Sequence, residues 1–449
     1  MTSVAVVGGG LAGITAALRC TDAGLAVTLY ESRPRLGGLT HSFKRGDLDV
    51  DNGQHVFLRC CTAYLGLLDR LDVRASVTVQ PRLAIPIYAP GRPPAWLRRT
   101  GLPAPLHLSR SLLGYAPLSL AERLRFATAA LALRRVDLAA AATDAQSFGA
   151  WLAAHGQSRR AIATLWDLVG VATLNATADH ASLALAAKVF QTGLLTETDA
   201  ADIGWSLVPL GELHGTAGQR ALEAAGVEVR AGAKVTAVRP AAAGFQVDGR
   251  RFDQVISAVP PDVAERVLPP GLLPPGARLG TSPIVNVHVV YDRTVLSEPF
   301  VAAIDSPLQW VFDRTRQAGL AAGQYIAVSL SAADDLIDRP VSDLRATMLP
   351  ALAALLPAAG RAEVLDFFVT RERHATFRPA PGTARLRPSA ATTLPGLWLA
   401  GAWTATGWPA TMEGAVRSGD SAAAALLDHL SPGSAASGSA VSTLDGVAT

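Results

Sequence analysis

An α/β fold is predicted for this chain by three features: a β-α-β unit near its start, a glycine-rich turn joining the first strand of that unit to its helix, and strand-like runs that return in the middle and near the end. Val4, Ala5, Val6 and Val7 give a short buried-strand signal that Gly8, Gly9 and Gly10 end; Leu11, Ile14, Ala17 and Leu18 then follow at helical spacing, and Gly24 closes the helix. A second strand, from Ala26 to Tyr30, stops at Glu31 and completes the unit. Between Ile85 and Leu120 the sequence turns to Pro, Arg, Leu and single aromatics, and its proline density excludes a long helix. Residues 120–189 are rich in Ala and Leu at helical spacing, whereas strand-like runs reappear at 227–229, 235–238, 255–259, 285–291 and 325–330. Gly396 to Gly401 reads as a buried strand ending on glycine, and a last helix is expected from Pro409 to Leu430. Residues 431–449 are Ser-, Gly- and Ala-rich without periodicity and are expected to be disordered. These elements sort into a nucleotide-binding domain built from residues 1–82, 206–264 and 386–430, with an α+β substrate-binding domain inserted as residues 83–205 and 265–385.

Composition narrows the function. With 449 residues, 49% of them apolar and 17% charged, the chain has the make-up of a globular protein with a large core. Forty basic and 37 acidic residues leave a formal charge of +3, too small and too mixed to point to nucleic acid. Three cysteines, Cys20, Cys60 and Cys61, have neither disulfide-framework nor metal-ligand spacing, so no metal and a reducing compartment are expected. No leader of the secretory type precedes Val4, and no uncharged apolar run is long enough to span a bilayer, so a cytoplasmic protein is expected.

Three motifs carry the chemistry. Gly8, Gly10 and Gly13 satisfy G-x-G-x-x-G between strand and helix: the first permits the tight turn, the second lets the backbone approach a pyrophosphate, and the third lets helix and strand pack closely. The helix that opens at Leu11 and Ala12 points unpaired N–H groups at the anion, and Glu31, at the end of the second strand, is placed to accept ribose hydroxyls. Asp51 to His55 is the second motif. If it is extended, Asp51, Gly53 and His55 share one face and Asn52 and Gln54 the other, with Gly53 allowing close passage by a flat ring. In the third, Gly401 to Gly419, a helix opening near Pro409 would leave the N–H groups of Thr411, Met412 and Glu413 as donors at a positive helix end. Gly414 in that helix suggests close packing against something flat.

The run Glu31, Ser32, Arg33, Pro34, Arg35, Leu36, Gly37, Gly38 resembles the continuation found in FAD enzymes of the flavin amine oxidase and carotenoid desaturase superfamily; Leu39 stands where many members have Arg or Lys. The phrases from Asp51 to Leu71 and from Gly407 to Gly419 resemble those of the hydroxysqualene dehydroxylase family, also called squalene-associated FAD-dependent desaturases, and weaker similarity extends from about residue 4 to 430. The resemblance implies a Rossmann-like FAD-binding domain of the GR2 type and reductive dehydroxylation of hydroxysqualene to squalene by hydride transfer from reduced FAD, in the bacterial route to hopanoids. It implies cofactor contacts at Gly8, Gly10, Ala12, Glu31, Arg33, Gly38, His55, Val235, Gly401, Thr411 and Met412, and the adjoining Leu11, Gly13, Ser32, Gly37, Leu39, Gly53, Gln54 and Ala402 are expected in the same cofactor site. Ala402 departs from the superfamily, many members of which place an acid there to hold a ribityl hydroxyl.

Such a reaction needs a proton donor for the leaving oxygen, and Glu413, Asp51 and His55 are the candidates. Trp310, Trp403 and Trp408 are candidates for walling an apolar pocket, with core packing as the alternative. NADPH or another reductant would recharge the flavin, and upstream prenyl synthases are the expected partners. In the segment from Ile85 to Leu120, Arg92, Arg98, Arg99 and Arg110 would meet anionic headgroups while Trp96, Leu97, Leu112, Leu113 and Tyr115 enter the interface, a peripheral membrane contact set against an ordinary surface excursion. Two other functions fit the same scaffold: an oxidative desaturase or amine oxidase, and a non-enzymatic prenyl carrier resembling the Rab GDP-dissociation inhibitors.

Overall fold

The computed structural model describes residues 1–273 and 279–431, so the tail expected from residue 431 onward lies, after Ser431, outside the described residues. Five parallel strands form one sheet in the order Glu228–Ala231, Ala26–Glu31, Ser3–Val7, Gln254–Ser257, Leu397–Leu399. Numbered along the chain this is 3-2-1-4-5, the doubly wound order in which ligands sit beyond the carboxyl ends of the strands. The first strand is central and covered on both faces, which explains its unbroken Val-Ala-Val-Val run: Val4, Ala5 and Val6 are fully buried. Two helices, Leu11–Asp22 and Met412–Leu430, pack on each other over this sheet. A side chain at Gly419 would collide with the carbonyl of Ala12, so glycine sets how closely they approach.

A second, seven-stranded sheet runs in the order Val364–Phe377, Thr281–Tyr291, Gln324–Leu330, Trp310–Asp313, Phe300–Ala303, Ala84–Tyr88, Ala95–Arg98. One face is apolar: Val285, Val287, Val289 and Val328 are fully buried beneath Leu344, Met348 and Leu352 of the helix Val341–Leu355, which recur every four residues and so form one stripe. The registers Asn286–Thr370, Asn286–Ser329 and Trp310–Ser329 place the alternate residues on the other face. There Ile284, Trp310, Ser329, Thr370 and Glu372 are all partly exposed.

The segment rich in proline forms two short strands and the five-residue helix Ser109–Leu113, and the region after it is helical, including Leu120–Leu133, Asp167–Leu174 and Leu183–Phe190. Two local expectations shift. Residues 235–238 do not extend the parallel sheet; Val238–Pro240 joins a separate three-stranded sheet. The chain before it is held instead by bonds from the N–H groups of Gly232 and Ala233 to the carbonyls of Arg33 and Glu31, both 2.8 Å, and from Thr236 and Ala237 to the Asp248 carboxylate. The last helix begins at Met412 rather than Pro409, because the Thr411 hydroxyl accepts from the Gly414 N–H (3.1 Å) and caps it.

Candidate functional site

The glycine-rich turn has the shape a pyrophosphate needs. Gly8 lies at φ +112°, and a side chain there would sit 2.7 Å from the carbonyl oxygen of Ala258. One at Gly13 would collide with the Gly8 carbonyl, so helix and turn touch backbone to backbone. Gly10 precedes the helix and has no side chain to cap it, which leaves the first-turn amides open to an anion. Gly38, at φ +56°, passes so close to Gly10 that a side chain there would lie 2.9 Å from the Gly10 Cα. The Glu31 carboxylate is fixed by the turn itself, accepting from Gly9 N–H at 2.8 Å and Arg33 N–H at 2.7 Å, with the Ser32 hydroxyl at 3.1 Å. Val235 is buried beside this strand end, and Leu39 is 46% exposed.

The segment from Asp51 to His55 is where the two sheets meet. Asp51 is buried and accepts from the Ser42 hydroxyl (2.6 Å) and the Leu210 N–H (2.9 Å), and it pairs with the Arg314 guanidinium. The Asn52 carbonyl accepts from the Asn286 amide and the Thr370 hydroxyl, both at 3.3 Å, so two strands of the seven-stranded sheet hold the residue before Gly53. The Asn52 side chain accepts from His41 N–H and donates to the Leu39 carbonyl. His55 Nδ1 lies 3.1 Å from the Gly53 carbonyl, and burial lowers its pKa, favouring the neutral imidazole. The Gln54 Oε1 and Asn286 Oδ1 atoms are buried without a hydrogen-bond partner among the described residues. Buried orphan acceptors are rare in a finished interior, and a flavin or substrate donor would satisfy them.

At the third motif Gly401, at φ +127°, donates its N–H to the Ser418 hydroxyl (2.7 Å). The Ala402 carbonyl accepts from Arg387 (3.0 Å), a buried arginine with no carboxylate partner among the described residues, whose pKa burial lowers to about 10. Because Thr411 N–H bonds the Pro409 carbonyl (2.8 Å), only two of the three expected donors, the N–H groups of Met412 and Glu413, have no acceptor among the described residues. Gly414 is explained by the chain itself: a side chain there would lie 2.5 Å from the Pro409 carbonyl oxygen, so the approach is to the preceding loop rather than a flat ring.

Two of the three expected proton donors are held by partners within the chain. The Glu413 side chain is fully buried, and its carboxylate accepts from the N–H groups of Ala63 (3.2 Å) and Tyr64 (2.7 Å), at the start of the helix Thr62–Arg70, and from Arg417 (2.7 Å). It clamps two helices together, just as Asp51 braces Arg314. His55 stays beside Gly53. Of the tryptophans, Trp403 is buried and bonds the Val259 carbonyl, a core role; Trp408 lies between Lys188 and Arg417, each 4.9 Å from its ring; Trp310 is partly exposed on the sheet face that looks toward Asn52. A third carboxyl, Glu372, occupies that same face. Burial pushes its pKa above the ordinary carboxylate value, with the adjoining Asn52 amide acting in the opposite sense. Sequence reasoning did not single it out; the signal was the alternation Phe368, Thr370, Glu372 along one face of the strand, but its neighbour Asn52 is distant in the chain.

The turn, the Gly10–Gly38 approach, the open helix amides and the orphaned acceptors together fit a dinucleotide flavin. The chain matches, over residues 11–427, the family described as flavin containing amine oxidoreductase. It is 28% identical over 451 residues to a hydroxysqualene dehydroxylase of Rhodopseudomonas palustris and 27% identical over 445 residues to one of Sinorhizobium fredii, in each case covering 94% of this chain and 97% of the relative. Among solved structures it is similar to putrescine oxidase with putrescine bound, at a TM-score of 0.71 and 21% identity, over 95% of this chain and 99% of that one. The chain belongs to the flavin containing amine oxidoreductase family and is a flavin-dependent oxidoreductase.

Proposed function

We propose that the protein reduces hydroxysqualene to squalene with FAD as its cofactor and NADPH or another reductant as the electron source, in the bacterial supply of squalene for hopanoids. The observation that carries this reading is likeness along nearly the whole chain to two enzymes named for that reaction. Bound and reduced, the flavin supplies a hydride. The residues of this chain do the rest. Gly8, Gly10 and Gly38 would cradle the pyrophosphate, Glu31 would hold a ribose, and the free amides of Met412 and Glu413 would offer donors to the negative charge that reduction brings. The partly exposed face offers Ile284 and Trp310 as apolar surface beside the polar Ser329, Thr370 and Glu372, suited to orienting a long hydrocarbon that carries one hydroxyl.

The decisive experiment is anaerobic. Photoreduced protein mixed with hydroxysqualene should regain the oxidised flavin spectrum and yield squalene by mass spectrometry. Loss of flavin colour when substrate is added to oxidised protein would instead indicate a desaturase or amine oxidase, and a purified protein that takes up no flavin would indicate a carrier.

We propose further that the enzyme takes its substrate from a lipid surface. No described helix is long and apolar enough to cross a membrane. Six of the thirteen exposed large apolar side chains among the described residues are Leu102, Leu106, Leu113, Leu120, Leu124 and Leu131. Leu106 and Leu131 rim an apolar groove of about 150 Å³ whose lining includes Phe126, Leu165 and Phe190. Arg98 and Arg110 are exposed in the same segment, suited to anionic headgroups. This revises the set expected from sequence: Leu97 and Tyr115 are buried, and Arg99 is paired with Asp202 at 2.6 Å. Flotation with anionic vesicles should be lost in the Leu106→Glu, Leu113→Glu double variant; unchanged flotation would remove the lipid contact.

A further inference from the structure

We propose that Glu372 is the catalytic acid of this site, delivering a proton to the substrate hydroxyl on the sheet face it shares with Asn286 and Thr370, beside Asn52. The inference rests on the reading of the protein as a hydroxysqualene dehydroxylase and adds to it the group on which departure of the oxygen depends. Three observations place the acid. Glu372 pairs in register with Ile284, and Thr370 with Asn286, so the carboxyl shares a face with the two side chains that bond the Asn52 carbonyl. The opposite face at this level is used up: Arg371 bonds the Arg339 carbonyl (2.6 Å) and Arg373 pairs with Asp338 (2.7 Å). Asn286 is fully buried, keeps an unpartnered Oδ1, and has its Nδ2 3.5 Å from where a side chain on Gly53 would begin. A substrate hydroxyl donating to that oxygen would be anchored beside both Gly53 and the acid.

The surroundings suit a proton donor better than a brace. Among the described residues Glu372 forms no ion pair, whereas Asp51 and Glu413 each pair with an arginine. Ile284, Thr370 and Asn52 around it are uncharged, and His374, two residues along and exposed, is its titratable neighbour. His41, behind Asn52, is kept neutral by burial, with a pKa lowered to about 4. Burial therefore favours the protonated acid, the form a leaving oxygen requires. In the step, the carboxyl proton passes to the hydroxyl oxygen and the C–O bond breaks with its electron pair leaving on water. The resulting allylic cation would take up a hydride that bound, reduced flavin would supply, forming the new C–H bond. One alcohol, one proton and one hydride become one hydrocarbon and one water; the substrate carbon is reduced and the flavin oxidised by two electrons. The partial exposure of Glu372 lets solvent return the proton.

The test compares wild type with Glu372→Gln, which keeps size and hydrogen-bonding capacity, and Glu372→Asp, which keeps the acid. Flavin content and the dissociation constant for hydroxysqualene should match wild type in both. Single-turnover conversion by photoreduced protein should fall at least a hundredfold in the Gln variant and be partly retained in the Asp variant. The wild-type rate should decline as pH rises through the pKa of the acid, and that limb should vanish from the residual rate of the Gln variant. Infrared difference spectra of cofactor-free wild type should show a protonated carboxyl band that the Gln variant lacks. A Gln variant within threefold of wild type, or a wild-type carboxyl ionised across the active pH range, overturns the assignment and leaves the dehydroxylase reading standing. Wild type that makes no squalene overturns both. If the Gln variant loses flavin, the infrared titration of wild type and the pH limb of the Asp variant decide.

Discussion

Glu413→Gln separates a clamp from an acid at the position where the sequence most invites confusion between them. The carboxylate is fully buried and accepts two backbone N–H bonds, at 3.2 and 2.7 Å, from the first turn of the helix Thr62–Arg70, and a third bond from Arg417 at 2.7 Å. Hydrogen bonds to a charged acceptor contribute about 1.5 to 3 kcal/mol each. A glutamine oxygen can keep one backbone bond, while its NH2 group faces donors and leaves the other N–H unpaired. The Arg417 contact is more than a third exposed on the arginine side, so its loss adds only about 0.5 kcal/mol. The substitution should therefore cost about 2 to 4 kcal/mol of unfolding free energy, measured by reversible urea denaturation followed by circular dichroism. At low temperature, where the variant remains folded, single-turnover reduction of substrate should fall less than tenfold. A cost under 1 kcal/mol, or a rate loss of several hundredfold in a variant of unaltered stability, would refute the clamp and return Glu413 to the chemistry.

Three further outcomes follow from the geometry. Gly13→Ala drives a methyl into the Gly8 carbonyl, so the purified variant should lose most of its visible flavin absorbance; full retention would show that the turn relaxes freely. His214 and His288 are buried, and burial lowers both pKa values to about 3, against about 6.5 in the unfolded chain, so the folded state binds fewer protons and stability falls as pH drops below about 6.5. Between pH 7 and 5 each should cost about 2 kcal/mol in urea titrations, and a combined change under 1 kcal/mol would contradict their neutral burial. Ala402→Asp restores an acid where many superfamily members carry one and should tighten FAD binding ten- to a hundredfold when cofactor-free protein is titrated; an unchanged dissociation constant would remove that contact.

Local signals carried much of the fold. The strand Ser3–Val7, its turn and the helix Leu11–Asp22 were readable because their hydrophobic pattern, glycines and spacing lie within two dozen residues. Proline density likewise limited the segment after Ile85 to short elements. What the sequence hid was partnership. Asp51 and Glu413 are acids in conspicuous motifs, yet the groups that occupy them, Arg314 and the Tyr64 N–H, lie 263 and 349 residues away. Glu372 was passed over for the same reason: the register that sets it opposite Ile284, and Thr370 opposite Asn286, joins strands distant in the chain. The start of the last helix was misplaced for a local reason, since both Pro409 and Thr411 are competent initiators and the hydroxyl bond to Gly414 decides between them.

The coupling of the two sheets through three residues explains why the acids divide their labour. Asp51 ties the hairpin of Ser42–Arg45 and Leu48–Asp51 to Arg314, next to the strand Trp310–Asp313, and Asn52 is tied through its carbonyl to Asn286 and Thr370 of two further strands. Gly53, the next residue, is thereby fixed against the seven-stranded sheet while the glycine-rich turn and the last helix are fixed against the five-stranded one. Any ring gripped between them is located by both sheets at once, which is what positioning a hydride donor against one carbon demands. Rigid bracing and proton donation impose opposite requirements on a carboxyl: the first needs an ionised group saturated with donors, the second a group free to hold and release a proton. Asp51 and Glu413 meet the first requirement through their arginines, and Glu372, with no cation paired to it among the described residues, meets the second.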